Sequence, residues 1–394
     1  MALNVIEQST SLIEAIETAR RRSIAWLNSM QVAGRPRGVM RISGHHDATR
    51  WPDMLLPGTY NGLLCRHLIE GLDDFSGPEQ SDLVRWLEGF RVADGRFRMG
   101  AMKDDEVFKK PDKAETWRYI DFHVTNYTLG AIEALDPGRR PVLDFALPYL
   151  DERTLGHWLS IRDLRDPWQE GNNIVNLASF LLLLRRHGEG KRSGDDLAAA
   201  VDGALARLFE WHERLQEPAT GFWGVGQLSD AMRLKDAFAG SMHNFHIWYE
   251  ADRPLPYHER AIDYCLSLPP KVDSACIDVD AVDLFAHAWR LLDYRRCDIE
   301  AWLTALLPAL LADQNLDGGF CDVREGVRRQ DGWVGGYGEP QGLSNTFATW
   351  FRWIAIAMIA DILFPDQWRW RFRRMIGIGY RMPQLAGLVR RSAL

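Results

Sequence analysis

Apolar residues recur at intervals of three and four along nearly the whole chain, and stretches of alternating apolar and polar residues are almost absent. The pattern therefore predicts helices and no sheet. Two kinds of helix alternate. Segments with one charged face, roughly residues 10–31, 79–91, 139–150, 196–215, 256–267 and 299–313, suit one side in water. Between them, segments apolar on most sides, roughly 59–70, 120–135, 172–187, 241–251, 278–293 and 343–361, suit burial. Six outer and six inner helices in strict alternation predict an all-α fold, an (α/α)6 toroid in which consecutive hairpins pack side by side and the last meets the first. Loops of uneven length ahead of the inner helices fit a ring with functional loops better than an open solenoid of near-identical repeats. The expected organisation is one toroid domain over residues 1–365 and a basic, aromatic C-terminal helix or tail over 366–394.

Each inner segment is expected to begin with polar residues. They are Thr59, Tyr60 and Asn61; Asp121, His123 and Asn126; Asn172, Asn173 and Asn176; His243, Asn244 and His246; Asp278, Asp280 and Asp283; and Ser344, Asn345 and Thr349. Capping of orphan amides explains one such residue per helix. It leaves the second and third unexplained, because an unpaired polar group inside a buried helix costs a few kcal/mol. Inner helices of alternating hairpins all run the same way, so these groups are expected to gather at one mouth and form a ligand site. Trp168, Glu170, Trp333, Tyr337 and Glu339, in the loops before two inner segments, and Trp289 on the fifth join them as candidates, since aromatic faces hold cations or sugar rings.

Composition narrows the partners. A chain of 394 residues that is 46% hydrophobic and 26% charged has ample core, and its net charge of −7 argues against nucleic acid, which requires basic surface. No apolar run approaches the roughly 20 residues that span a bilayer, and the start Met1-Ala2-Leu3-Asn4 lacks a secretory pattern, so the cytoplasm is expected. Five cysteines, Cys65, Cys265, Cys276, Cys297 and Cys321, form no CxxC pair and suit a reducing compartment. One basic stretch stands apart: Gln367 to Leu394 holds seven arginines and no acid, interleaved with Trp368, Trp370, Phe372 and Tyr380. It is expected either to pack on the ring or to touch an anionic membrane surface.

Three segments share a turn chemistry after an outer helix: Asp94-Gly95-Arg96-Phe97, Thr220-Gly221-Phe222 behind Gln216, and Gln314-Asn315-Leu316-Asp317-Gly318-Gly319-Phe320. Gly ends the helix in a left-handed conformation, Asp or Thr closes the turn, and the aromatic folds back. The last resembles the Q-x-x-DG-x-F/W repeat of the squalene-hopene cyclase and protein prenyltransferase superfamily, which implies an (α/α)6 toroid. Asp278-Val279-Asp280-Ala281-Val282-Asp283 resembles the DxDD motif of class II terpene cyclases. That resemblance implies that Asp280 protonates an alkene or epoxide, kept protonated by burial and by Asp278 and Asp283, with a histidine, His243 or His246, orienting it. The match is incomplete: Ala281 stands at the fourth position and Asp283 follows one turn after Asp280. Asp273, Cys276, Asp278 and His287 do not match the D-x-C spacing of prenyltransferase zinc sites, and no metal site is expected.

The leading expectation is thus a protonation-initiated terpenoid cyclase, an isomerase or lyase acting on an isoprenoid, with no required cofactor and magnesium only for a diphosphate substrate. The alternative is a carbohydrate-active toroid of the polysaccharide lyase or glycoside hydrolase kind, acting on an acidic oligosaccharide with acids drawn from Asp121, Glu170, Asp280 and Glu339. A binding ring without catalysis is the third.

Overall fold

The computed structural model describes residues 2–100, 116–162, 164–188, 194–324 and 337–382. Among them the chain is mostly helical, and β pairing is confined to isolated bridges. The α-helices are α1 (Ala2–Ser29), α2 (Leu55–Ile69), α3 (Gly77–Glu88), α4 (Thr116–Leu135), α5 (Glu152–Ser160), α6 (Pro167–Gly188), α7 (Gly194–Leu215), α8 (Ala231–Glu250), α9 (His258–Ser267), α10 (Ala275–Leu291), α11 (Arg296–Ala312) and α12 (Thr346–Leu363). Short 3-10 helices occupy Pro52–Met54 and Asp144–Leu150.

Two departures from the sequence pattern have clear causes. The outer segment expected over 139–150 contains Pro148, which lacks an N–H and forces a 3-10 turn; the outer α-helix is instead α5, started by Asp151, whose side chain accepts from Thr154 N. Five of the six inner helices begin earlier than their apolar runs. α8 is capped by Asp230 and winds through Arg233, Lys235 and Asp236 before turning apolar, and α6 opens on Pro167. Most of the polar residues expected at helix tips therefore lie one to three turns inside. Asn345 does cap α12, accepting from Ala348 N.

The described chain packs as two units: Met1–Trp86 with Leu266–Phe372, and Leu87–Cys265 with the segment from Arg373. In the first, α12 lies between α2 and α10, and α1 and α11 pack behind this row. α12 is long and apolar enough to cross a membrane by composition, but 83% of it is buried. The starts of the three inner helices are fastened side by side. Thr346 N bonds Ile42 O at 2.8 Å beside α2, and Ala275 N bonds Asp322 O at 3.2 Å while Asn345 N bonds Phe320 O at 3.1 Å. In the second unit α6 lies between α4 and α8, with α7 behind it. Backbones of α6 and α8 meet at Gly171 and Gly240: a Cβ on Gly240 would sit 2.0 Å from Pro167 O. Gly240→Ala is expected to destabilise by about 1–3 kcal/mol through overpacking, read as a lower urea midpoint.

A repeated fastening explains part of the buried polarity. The backbone N–H that follows an outer-helix turn donates to a hydroxyl on the next inner helix four times: Met40 to Thr59 at 3.0 Å, Phe97 to Thr125 at 3.0 Å, Trp223 to Ser241 at 2.9 Å and Phe320 to Thr349 at 2.9 Å. The glutamines have a matching role. Gln216 Nε2 donates to Gly221 O at 2.8 Å and Pro256 O at 3.0 Å, and Gln314 Nε2 to Gly318 O at 2.9 Å and Ala19 O at 2.8 Å, tying each turn to the next outer element. Gly318 takes φ 99° with Arg22 O 2.4 Å from where a Cβ would be, so only glycine fits there. Thr59 and Thr349, expected at the ligand mouth, are thus structural. Thr349→Val keeps the shape and strands the buried Phe320 N–H, for an expected loss of about 1–3 kcal/mol in thermal or urea unfolding.

Past α12 the described residues, to Met382, form no helix, and the rest of the basic segment lies outside the described residues. The first part of the segment packs in the first unit, where Trp368 and Trp370 stand 5.4 Å apart and Trp368 Nε1 donates to Glu17. The second part enters the second unit: Arg373 is buried, donates to Asn126, and lies 5.0 Å from the Tyr127 ring, while Tyr380 donates to Glu250.

Candidate active site: the carboxylate face of α10

Ser274 starts α10 by accepting from Ile277 N at 3.3 Å, so Asp278 is not the cap. Spacings of four, three and four place Cys276, Asp280, Asp283 and His287 on one face of this helix. Cys276 is half-buried, whereas Asp280 and Asp283 are 0% exposed and His287 is 1% exposed. Burial pushes the Asp280 carboxyl well above the usual carboxylate range, and the neighbouring acids Asp283 and then Asp278 push it further. His287 Nδ1 lies 3.0 Å from both the carbonyl oxygen and Oδ1 of Asp283. The His287 ring thus contacts the acid that follows Asp280 by one turn on the same face.

Asp278 faces the other way. It accepts from Arg352 on α12 and from Asp273 N at 3.0 Å, and Arg352, 1% exposed, also donates to Asp322 O at 3.2 Å. Burial raises the Asp278 carboxyl, and the Arg352 guanidinium opposes that rise. Asp278 therefore fastens α10 to α12.

Also in the first unit, Tyr337, Glu339 and Asn345 come together at the start of α12. Tyr337 OH donates to Glu339 Oε1 at 2.5 Å, and burial raises the Glu339 carboxyl against hydrogen bonds from Ser43 and Tyr337. Trp289 sits at the opposite end of α10, its Nε1 donating to Glu300 at 2.8 Å, away from the helix starts. Trp333 lies outside the described residues.

The remaining candidates belong to the second unit. Asp121, fully buried, is held by Arg96 at 2.6 Å and Arg98 at 3.1 Å; Glu170 is held by Arg162 at 2.9 Å. Both carboxyls are thus engaged by arginine guanidinium groups. Asn244 is structural, donating to Gly171 O at 3.0 Å and Gly240 O at 2.8 Å and lying 3.2 Å from His212 Nε2. Burial drives His212 down to about 3, leaving it neutral. His123 packs edge-on against Tyr127 at 4.1 Å and is also neutral, pushed well down by burial and by the charges of His243 and Arg373. His246 Nδ1 accepts from Gly377 N at 3.3 Å, and the His243 ring is 5.9 Å away. On α6, Asn172 Nδ2 returns to Trp168 O at 2.8 Å, Asn173 Nδ2 reaches Glu170 at 3.4 Å, and Asn176 Oδ1 accepts from Asn126 at 2.8 Å.

Three charged or ionisable residues lie outside a reading of polar helix tips: His287, which the sequence offers only within a zinc set whose spacing does not match, Arg352 and Arg373. The first two left a signal. His287 follows Asp280 by two helical turns, and Arg352 is the one charge in Trp350-Phe351-Arg352-Trp353-Ile354-Ala355, a place where an ion needs a partner. Arg373 left none, because its partner Asn126 is remote in sequence. Comparison of the chain with protein-family models, curated proteins and solved structures finds no match.

Proposed function

We propose that the protein is a general-acid enzyme, a protonation-initiated terpenoid cyclase with Asp280 as the acid and an isoprenoid as substrate. The observation that carries this reading is the state of Asp280: fully buried, and driven toward its protonated form by burial and two neighbouring acids. An acid that protonates a carbon–carbon double bond works better the more its proton is retained against the ordinary carboxylate tendency to ionise, and burial and the neighbouring acids push Asp280 in that direction. In the step itself the alkene π electrons take the Asp280 proton, a new C–H bond forms, and the adjacent carbon becomes cationic. Asp280 is left as a carboxylate, and loss of a proton from the cyclised cation restores it. Asp283 and His287 line the same helix face beside it. The reading brings with it the (α/α)6 ring, a cytoplasmic setting, membrane contact through the basic aromatic tail, and magnesium if the substrate is a diphosphate.

A carbohydrate substrate is the second reading, favoured by a specific feature of the second unit. Asn173 Oδ1, Asn176 Nδ2 and Ser179 Oγ, on buried α6, have no hydrogen-bond partner among the described residues. A hydrocarbon would leave them so, and a sugar would not. The deciding experiment is incubation with geranylgeranyl and farnesyl diphosphates, with and without magnesium, followed by mass spectrometry beside Asp280→Asn. A cyclic product that retains its diphosphate and vanishes in the variant supports the cyclase; no product from either substrate moves the choice to acidic oligosaccharides.

A further inference from the structure

The loop before α2 and the loop before α12 meet in the first unit around a carboxyl that the α10 chemistry does not use. Glu339 is 5% exposed. Its Oε1 accepts from Tyr337 OH at 2.5 Å, while its Oε2 is buried without a hydrogen-bond partner. Thr346 Oγ1, 0% exposed, is a second buried oxygen without one. Both flank the same short segment: Ser43 is among the groups that act on the Glu339 carboxyl, and Thr346 N bonds Ile42 O at 2.8 Å. Tyr337 in turn stands edge-on to His46 at 5.8 Å and to Trp51 at 5.9 Å. His46 shapes this loop, its Nδ1 accepting from Ile42 N at 3.3 Å and its Nε2 lying 2.8 Å from Trp51 O. Trp51 is half-buried, with the Arg50 guanidinium 5.3 Å from its ring centre on one side, and is the large aromatic of the cluster that solvent reaches.

Two oxygens left unsatisfied in a dry place are costly, and a group that both donates and accepts would relieve them. A hydroxyl does both on a neutral group; an alkyl chain does neither, and a phosphate brings negative charge against the Glu339 carboxyl. An aromatic edge beside a carboxyl is also the arrangement that holds a ring whose faces are apolar and whose rim is hydroxylated.

We propose that Glu339, Thr346, Tyr337 and Trp51 form a ligand site for a hydroxyl-bearing ring such as a pyranose. The ring lies against Trp51, and its hydroxyls bond Glu339 Oε2 and Thr346 Oγ1. This site is independent of Asp280 chemistry: it is an accessory site whichever substrate the α10 face takes.

Saturation-transfer NMR of the full chain with methyl glucoside, methyl N-acetylglucosaminide and methyl glucuronide tests it. Transfer to at least one sugar is expected, with affinity falling roughly ten-fold or more in Glu339→Ala, as the loss of a hydrogen bond to a charged or buried carboxyl requires. Trp51→Ala, at a half-exposed position, should weaken binding without unfolding the protein, and serves if Glu339→Ala does not fold. Asp280→Asn should bind the sugar as the unaltered chain does. No transfer to any of the three sugars overturns the proposal, as does transfer that persists undiminished in Trp51→Ala. Loss of transfer in Asp280→Asn would also overturn it, by placing the sugar at α10.

Discussion

Asp280→Asn is expected to remove about 10²–10⁴-fold of turnover, the range a general acid contributes, while leaving the protein as stable as before at neutral pH or more so. The sign follows from the direction of its shift. Burial and the acids Asp283 and Asp278 raise the folded-state value above the unfolded one. The folded state therefore keeps a proton that the unfolded chain releases once pH exceeds the ordinary aspartate value. Stability falls as pH rises from there through the folded-state value, by about 1.4 kcal/mol for each unit of elevation. Asparagine has no proton to lose, so the variant escapes that penalty. Urea unfolding of both proteins across pH 4 to 8, together with turnover, checks the pair of outcomes. A variant both inactive and strongly destabilised at neutral pH would make Asp280 a structural residue and remove the acid from the mechanism.

Arg352→Met should act in the opposite sense, destabilising by about 3–5 kcal/mol because it leaves a buried acid without its counter-charge. Arg352 and Asp278 are 1% and 5% exposed, and the guanidinium also reaches Asp322 O, the acceptor for the first amide of α10. One substitution thus loosens the pair and the fastening of α10 to α12 together. The double variant Arg352→Met with Asp278→Asn should recover a large part of the loss, since the Asp278 charge goes with its partner, while Asp313, 3.7 Å from Arg352, keeps Arg324. Thermal and urea unfolding of the two single variants and the double variant measure this coupling directly. Additive losses would mean that the two residues do not act as a pair. If activity survives in the double variant, Asp278 holds the helix and plays no part in proton transfer.

The two experiments separate acids that look alike along the chain. Asp278, Asp280 and Asp283 sit within six positions. One turns toward Arg352, one is pressed toward protonation, and one bonds His287. The same holds for Asp121 and Glu170, candidate acids by residue type that arginines hold in ion pairs. Arg96 and Arg98 precede Asp121 by more than twenty positions, so no local pattern reveals the pairing.

The sequence alone shows that the described chain is mostly helical and that buried and half-exposed helices alternate, because apolar periodicity is a local property that survives without knowledge of the partners. It also determined the turns, since Gly318 and its neighbours are dictated by backbone geometry. Tertiary structure decided where the helices begin, because polar first turns such as that of α8 carry no apolar signal and are fixed by a cap at Asp230 and by packing behind it. It alone decided which polar residues fasten the fold and which remain for chemistry. A threonine that accepts a turn amide and an aspartate that keeps its proton differ only in what surrounds them, and desolvation and neighbouring charge are properties of that surrounding.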